Sequence, residues 1–178
     1  MARVKLIQPE ERPDQSALID KIRKGRRNTF INVYKVLMHA PDIANVWLDL
    51  VNVVRWKTEL DGRLREIVII RVGYLNRCTY VVKQHVPGLS VPEGLSKQES
   101  DALADWRPSK FFNARERAAL AYTDAVTRDI DVPEAVFAEL KQHFSDRQVV
   151  ELTVLIGVYN MHTRVGQALQ IDPEPHHT

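Results

Sequence analysis

Three side chains that can transfer protons or attack a substrate lie along one short stretch of the chain. They are Glu66, Cys78 and His85. A carboxylate and an imidazole can relay protons, and a thiolate is a strong nucleophile. The sequence therefore offers one candidate active site, and the question is whether the fold can bring these groups together.

Residues 78–86 predict a short helix with Cys78 in its first turn and His85 on the same face. The helix dipole at that end and the neighbouring Arg77 favour a reactive thiolate. Seven helical residues rise by about 10 Å, so the thiol and the imidazole cannot touch directly. A proton path between them needs a water, a substrate atom or Glu66. The alternative is an inert buried cysteine beside an ordinary helix histidine.

The surrounding segments are typical of helices. Capping boxes begin at Ser96, Asn113 and Ser145, and the segments 64–75 and 149–161 are apolar nearly all round, which predicts central helices. We therefore predict an all-α protein that is one domain over residues 1–178, with about seven or eight helices. The glycine- and proline-rich segment 87–94 predicts a loop, and residues 1–15 and 171–178 are expected to be frayed.

The composition excludes several classes of function. One cysteine among 178 residues rules out an intrachain disulfide and an all-cysteine metal site. A net charge of +2 gives no support for nucleic-acid binding, and the basic segment 20–27 is interpreted as a solvated helix end. Neither a signal peptide nor a membrane-spanning stretch is predicted, so we expect a cytoplasmic protein. No glycine-rich phosphate loop and no metal-ligand spacing occur, and we predict no cofactor and no metal site.

The segment LREIVIIRVGYLNRCTYVVKQH, within a signature region at 64–86, resembles the carboxymuconolactone decarboxylase / alkylhydroperoxidase D superfamily. In that signature a glutamate begins an apolar helix, Cys-x-x-Cys follows twelve residues later, and a histidine follows four residues after the second cysteine. Glu66, Cys78 and His85 match three of these positions, whereas Val81 stands in place of the second cysteine. The resemblance extends over about residues 30–170. It implies an AhpD-like helical fold and a homo-oligomer.

The resemblance leaves two readings of the activity. In the first, Cys78 is a one-cysteine peroxidatic thiol that reduces a hydroperoxide and is regenerated by an external thiol reductant, with His85 and Glu66 handling protons. A Cys-x-x-Cys cycle is impossible in this chain because Val81 is not a cysteine. The position of the retained cysteine favours this reading.

In the second reading His85 is a general acid/base for decarboxylation or lysis of a small carboxylated lactone or keto acid. Glu66 then orients the imidazole, and Tyr80 or Arg71 binds the anion of the substrate. Similar residues to Asn160 line the pocket in members of the superfamily, so Asn160 is a further candidate for substrate binding. A non-catalytic member of the superfamily is the remaining alternative.

Overall fold

The computed structural model describes residues 1–174, and over that range the chain forms only helices and the turns between them. The predicted all-α class is therefore confirmed. The described residues hold nine α-helices, slightly more than predicted, because the structure has several of only six or seven residues. They are α1 (Ser16–Gly25), α2 (Asn32–Leu37), α3 (Pro41–Trp56), α4 (Gly62–Leu75), α5 (Thr79–His85), α6 (Lys97–Ala102), α7 (Ala114–Arg128), α8 (Glu134–Lys141) and α9 (Asp146–Ala168).

The helix starts follow the capping signals in the sequence. The side chains of Ser96, Asn113 and Ser145 each accept a hydrogen bond from the backbone N–H three residues on, and the side chain at that position accepts one from the backbone N–H of the cap residue. Each such box satisfies two backbone donors that the first turn leaves free. The predicted starts of α6, α7 and α9 are confirmed.

Helix α4 lies at the centre of the molecule. Every residue from Leu64 to Gly73 is buried, and α4 packs against α5, α7 and α9. This agrees with the apolar character of the segment 64–75, because a helix without a polar face must be covered on all sides. The second apolar helix, α9, is covered on one side only, since Val150, Val154 and Met161 face solvent.

Both ends of the described chain pack onto the core. Residues 1–15, expected to be frayed, form two short 3-10 turns at Pro9–Glu11 and Pro13–Gln15 and place Leu6 and Ile7 against the core. Ile171 is also buried. The rest of the segment expected to be frayed at the other end, residues 175–178, lies outside the described residues.

The segment 87–94 is a loop that contains a 3-10 turn at Val91–Glu93.

None of the helices in residues 1–174 combines the length and the apolar character needed to cross a membrane.

Candidate functional site

A cavity of about 290 Å³ opens beside α5. Its walls come from the α1–α2 connection, the end of α3, helix α5, the middle of α9 and the segment that follows α9. Aliphatic side chains and aromatic rings alternate with a few charged groups on these walls. The polar and aromatic lining residues include Arg26, Arg27, Tyr34, Arg55, Trp56, Tyr80, Gln84, His85, Tyr159, His162 and Glu174.

His85 and Glu66 form a buried pair at the wall of this cavity. Nδ1 of His85 lies 2.5 Å from Oε2 of Glu66, and the carboxylate is wholly removed from solvent. A hydrogen bond through Nδ1 fixes the ring and leaves Nε2 as the atom available to a substrate. The structure thus brings together two of the three candidate catalytic residues, because α5 returns alongside the first half of α4.

Two arginines stabilise the charge on Glu66. Nη2 of Arg55 donates to Oε1 of Glu66 over 3.2 Å, and Nε of Arg65 lies 3.9 Å from the same oxygen. Burial alone would raise the pKa of the Glu66 carboxyl, but His85, Arg55 and Arg65 outweigh it and the pKa is lowered. Glu66 therefore remains a carboxylate and can accept a hydrogen bond from Nδ1–H of His85.

Cys78 lies apart from this pair. It precedes α5 as the N-cap residue, is completely buried, and is not among the residues that line the cavity. Its Sγ packs against α9, only 3.2 Å from where a Cβ on Gly166 would lie. Burial raises the pKa of the thiol, although the backbone N–H groups of Val81 and Tyr80 act in the opposite direction. The position of Cys78 at the start of α5 favours a thiolate, but its burial against α9 offsets this effect.

Of the three candidate substrate-binding residues, the structure brings only Tyr80 to the cavity. The guanidinium of Arg71 is buried against Asp124, with Nε 2.6 Å from Oδ1, and donates further to the backbone of Leu103. Asn160 donates to Thr127 from the other side of α9. Neither Arg71 nor Asn160 lines the cavity, so the structure gives both of them a role in joining helices.

The positive charges of the cavity come from arginines that are not among the predicted site residues. Arg55 is only 8% exposed and lies at the end of α3. Arg26 and Arg27 lie in the connection after α1, where the basic segment 20–27 was interpreted as a solvated helix end. Arg26 donates to the hydroxyl of Tyr34 over 2.8 Å. The basic segment 20–27 indicated a cluster of positive charge that includes Arg26 and Arg27. No pattern in the sequence predicted the contact between Arg55 and Glu66.

His162 contributes a second imidazole to the cavity. It packs against the rings of Trp47, Tyr80 and Tyr159, and its Nδ1 is shielded from solvent without a partner among the described residues. Burial and the nearby positive charges of His85, Arg26 and Arg55 lower the pKa of His162 to about 3. The ring is therefore neutral at physiological pH. No group of three or more His, Cys, Asp or Glu side chains within residues 1–174 is arranged to hold a metal ion.

Comparisons with known proteins relate the sequence around this site to one family. The profile of the carboxymuconolactone decarboxylase family matches residues 41–125, which include α4, α5 and the whole Glu66–His85 pair. The uncharacterized protein YnjA of Escherichia coli is 32% identical over 127 residues; the match covers 70% of this chain and 66% of YnjA, so about a third of that relative is not spanned.

Two solved structures are similar to this chain in fold. ATU0492 of Agrobacterium tumefaciens, a protein of unknown function with a provisional assignment as the antioxidant defence protein AhpD, is 29% identical with a TM-score of 0.75; the match covers 79% of this chain and 97% of that one. An uncharacterized peroxidase-related protein of Silicibacter sp. TM1040 is 22% identical with a TM-score of 0.84, over 97% of this chain and 92% of that one. The second likeness shows the fold alone.

Proposed function

Because this chain belongs to the carboxymuconolactone decarboxylase family, we propose that it is an enzyme that uses His85 as a general acid/base. Its substrate is a small β-keto acid or a small carboxylated lactone. The observation that carries the proposal is the buried His85–Glu66 pair, 2.5 Å apart, at the wall of a cavity of about 290 Å³.

The pair supports proton transfer in a direct way. Glu66 fixes the Nδ1 side of the ring, so Nε2 is the atom that exchanges a proton with the substrate. When a β-keto acid loses carbon dioxide, the electron pair of the broken carbon–carbon bond stays on the substrate as an enolate. A protonated His85 then supplies the proton that the carbon needs, and Glu66 stabilises the cationic ring until that moment.

The charges around the cavity support an anionic substrate. Arg26, Arg27 and Arg55 all line it, and the guanidinium of Arg55 is buried, where little water screens its attraction for a carboxylate. The anion site that this reading requires is therefore supplied by these arginines, whereas Arg71 is occupied by Asp124.

Reduction of a hydroperoxide by Cys78 is the second candidate. Two observations favour it: the backbone N–H groups of Tyr80 and Val81 act to lower the pKa of the thiol, and ATU0492 carries a provisional assignment in antioxidant defence. Cys78 would attack the peroxide oxygen to give a sulfenic acid, and an external thiol would reduce it. For this reaction α9 must move away from Cys78, because it packs against the sulfur and keeps a peroxide out.

Two variants separate the candidates. The purified chain is assayed for carbon dioxide release from acetoacetate, oxaloacetate and a carboxylated γ-lactone, and in parallel for consumption of hydrogen peroxide with a dithiol present. We expect His85→Asn to lower kcat/KM for the carboxylated substrate about 10²–10⁴-fold. We expect Cys78→Ser to change it little, because Cys78 does not line the cavity.

The opposite ranking would refute the proposal. If the wild type consumes peroxide and Cys78→Ser abolishes that activity, while no carboxylated substrate is turned over above the rate without enzyme, the thiol reaction is the function. Thermal unfolding of both variants provides the control for folding.

A further inference from the structure

A carboxylate of the chain itself occupies part of the cavity. After α9 ends, the segment 169–174 turns back towards the start of α2, where the side-chain amide of Asn32 donates to the backbone oxygen of Asp172 over 3.0 Å. Ile171 is buried in the core and anchors the turn. This path places the side chain of Glu174 among the residues that line the cavity.

Two neutral donors hold the carboxylate of Glu174. Its Oε1 accepts from the backbone N–H of Asn32 over 2.5 Å and from the hydroxyl of Tyr80 over 3.2 Å. Tyr80 is only 3% exposed, and burial, followed by the charge of Glu174, raises the pKa of its hydroxyl well above the ordinary value. The hydroxyl therefore keeps its proton and remains a donor.

The cations of the same cavity are not used by this carboxylate. Within residues 1–174, Arg26 donates to Gly25, Asn52 and Tyr34, and Arg55 donates to Glu66. Nε of Arg55 is buried without a partner in this part of the chain, and so is Oε2 of Glu174. A buried guanidinium with an unused donor indicates a site that is built for one more acceptor than the described residues supply.

We propose that the hydroxyl of Tyr80 and the N–H of Asn32 form the subsite for a carboxylate group of the ligand, and that Glu174 fills this subsite when no ligand is bound. The ligand is a small monocarboxylate or dicarboxylate that exchanges places with Glu174. Its identity as the substrate rests on the proposed function, but the subsite itself does not.

The exchange keeps the charges of the cavity balanced. When Glu174 leaves, the cavity loses one negative charge, and the three arginines that line it then favour an anionic replacement. A neutral ligand of the same shape would leave the two donors with a weaker acceptor. The subsite thus discriminates for carboxylates.

Competition by Glu174 lowers the apparent affinity for a free carboxylate. If Glu174 occupies the subsite nine-tenths of the time, the apparent Kd is raised about tenfold, because only the open fraction binds. Removing the side chain removes this competition. The variant Glu174→Ala should therefore bind a carboxylate about tenfold more tightly than the wild type.

Calorimetric titration of the full chain tests this directly, with benzoate as the carboxylate and benzamide as its uncharged counterpart. We expect Glu174→Ala to bind benzoate about tenfold more tightly than the wild type and to leave the affinity for benzamide unchanged. Adding Tyr80→Phe to Glu174→Ala should abolish the gain. Asp172→Asn removes a charge from the same segment without touching the cavity and should match the wild type.

Equal affinities of the wild type and Glu174→Ala for benzoate would overturn the proposal. An equal rise in the affinity for benzamide would also overturn it, because the substitution would then only have enlarged the cavity. If Glu174→Ala does not fold, Glu174→Gln replaces it. An amide oxygen is a weaker acceptor than a carboxylate, so tighter benzoate binding is again expected, and unchanged binding again contradicts the subsite. Binding is measured without turnover, so an inactive His85 would leave this result intact.

Discussion

The chemistry of the site depends on a carboxylate that has no contact with water. Glu66 is completely buried, and its charge is balanced by His85, Arg55 and Arg65. The two guanidinium groups also lie over the ring of Trp56, at 4.7 and 4.6 Å from its centre, which holds them in place. Loss of a partner would leave this buried charge less well compensated, and a buried carboxylate with no partner at all typically costs several kcal/mol. The same contacts that hold the fold together here also orient the imidazole.

The second imidazole, His162, predicts a specific dependence of stability on pH. Its pKa is about 3 in the folded chain, against an ordinary value of 6.5 in the unfolded chain. Between those values the unfolded chain binds a proton that the folded chain does not, so stability falls as the pH falls below about 6.5. By pH 5 the contribution of His162 is a loss of about 2 kcal/mol in the free energy of unfolding.

Urea denaturation at pH 7.5 and pH 5 measures this loss. The variant His162→Phe keeps an aromatic ring against Trp47 and Tyr159 and should lose less stability over the same pH interval. His39→Gln, a substitution at an exposed histidine, is the matched control and should behave like the wild type. Parallel curves for the wild type and His162→Phe would contradict the prediction.

At the scale of elements, the decisive contact is the one between α4 and α5. Gly73 of α4 faces α5, and a Cβ at this position would lie 3.0 Å from Cγ2 of Val82 and 3.3 Å from Cγ1 of Val81. The missing side chain allows the two helices to approach closely. This approach sets the path of α5, which carries His85 back to Glu66 near the start of α4.

Gly73→Ala should therefore weaken both the fold and the site. Val81 and Val82 are β-branched and have little rotamer freedom in a helix, so they cannot easily make room. We expect the free energy of unfolding to fall by about 1–3 kcal/mol, the usual cost of overpacking. Activity that depends on His85 should fall with it. Urea denaturation and the substrate assay measure the two effects.

Gly88→Ala provides the comparison for this substitution. Gly88 lies in the loop after α5, and a Cβ there would meet no atom within 4 Å. This change should leave activity unchanged and alter stability by less than about 1 kcal/mol, in the favourable direction. A Gly73→Ala variant as stable as Gly88→Ala would show that the α4–α5 contact is not tight.

For the whole molecule, the sequence predicted the order of the elements better than their contacts. Capping residues and apolar periodicity are local signals, and they located α4, α6, α7 and α9. The direction that each side chain of α4 faces was not accessible in this way, because a helix that is apolar all round has no polar face to orient it. Glu66 and Arg71 are both polar residues in that helix, yet the first reaches His85 and the second reaches Asp124.

Contacts between distant segments account for the remaining differences. Cys78 was considered as a reactive thiol from its position in the first turn of α5, but Gly166, far along the chain, covers its sulfur. Arg55 and Glu174 approach the cavity from separate parts of the sequence, and no spacing rule connects them with His85. These contacts depend on tertiary packing, which sequence patterns do not encode.

The surface of the molecule gives a reason to keep the expectation of a homo-oligomer. Helices α3 and α9 pack side by side, and each carries a row of apolar side chains that face solvent. Large exposed apolar areas on a folded chain usually mark an interface. The rows are Ile43, Val46, Leu50 and Val53 on α3, and Val150, Val154 and Met161 on α9.

We call these two apolar rows together the α3–α9 face. We predict that the chain self-associates through this face and that a charge in it separates the subunits. Val46→Glu and Val154→Glu alter side chains that are 62% and 42% exposed, so each single chain should still fold. Burying an unpaired carboxylate in an apolar interface is strongly unfavourable, so both variants should have the mass of one chain by light scattering. Gln142→Glu adds the same charge on an exposed part of the surface outside this face and should keep the mass of the wild type. A wild type that already has the mass of a single chain at all concentrations would contradict the prediction, and the two apolar rows would then need another partner.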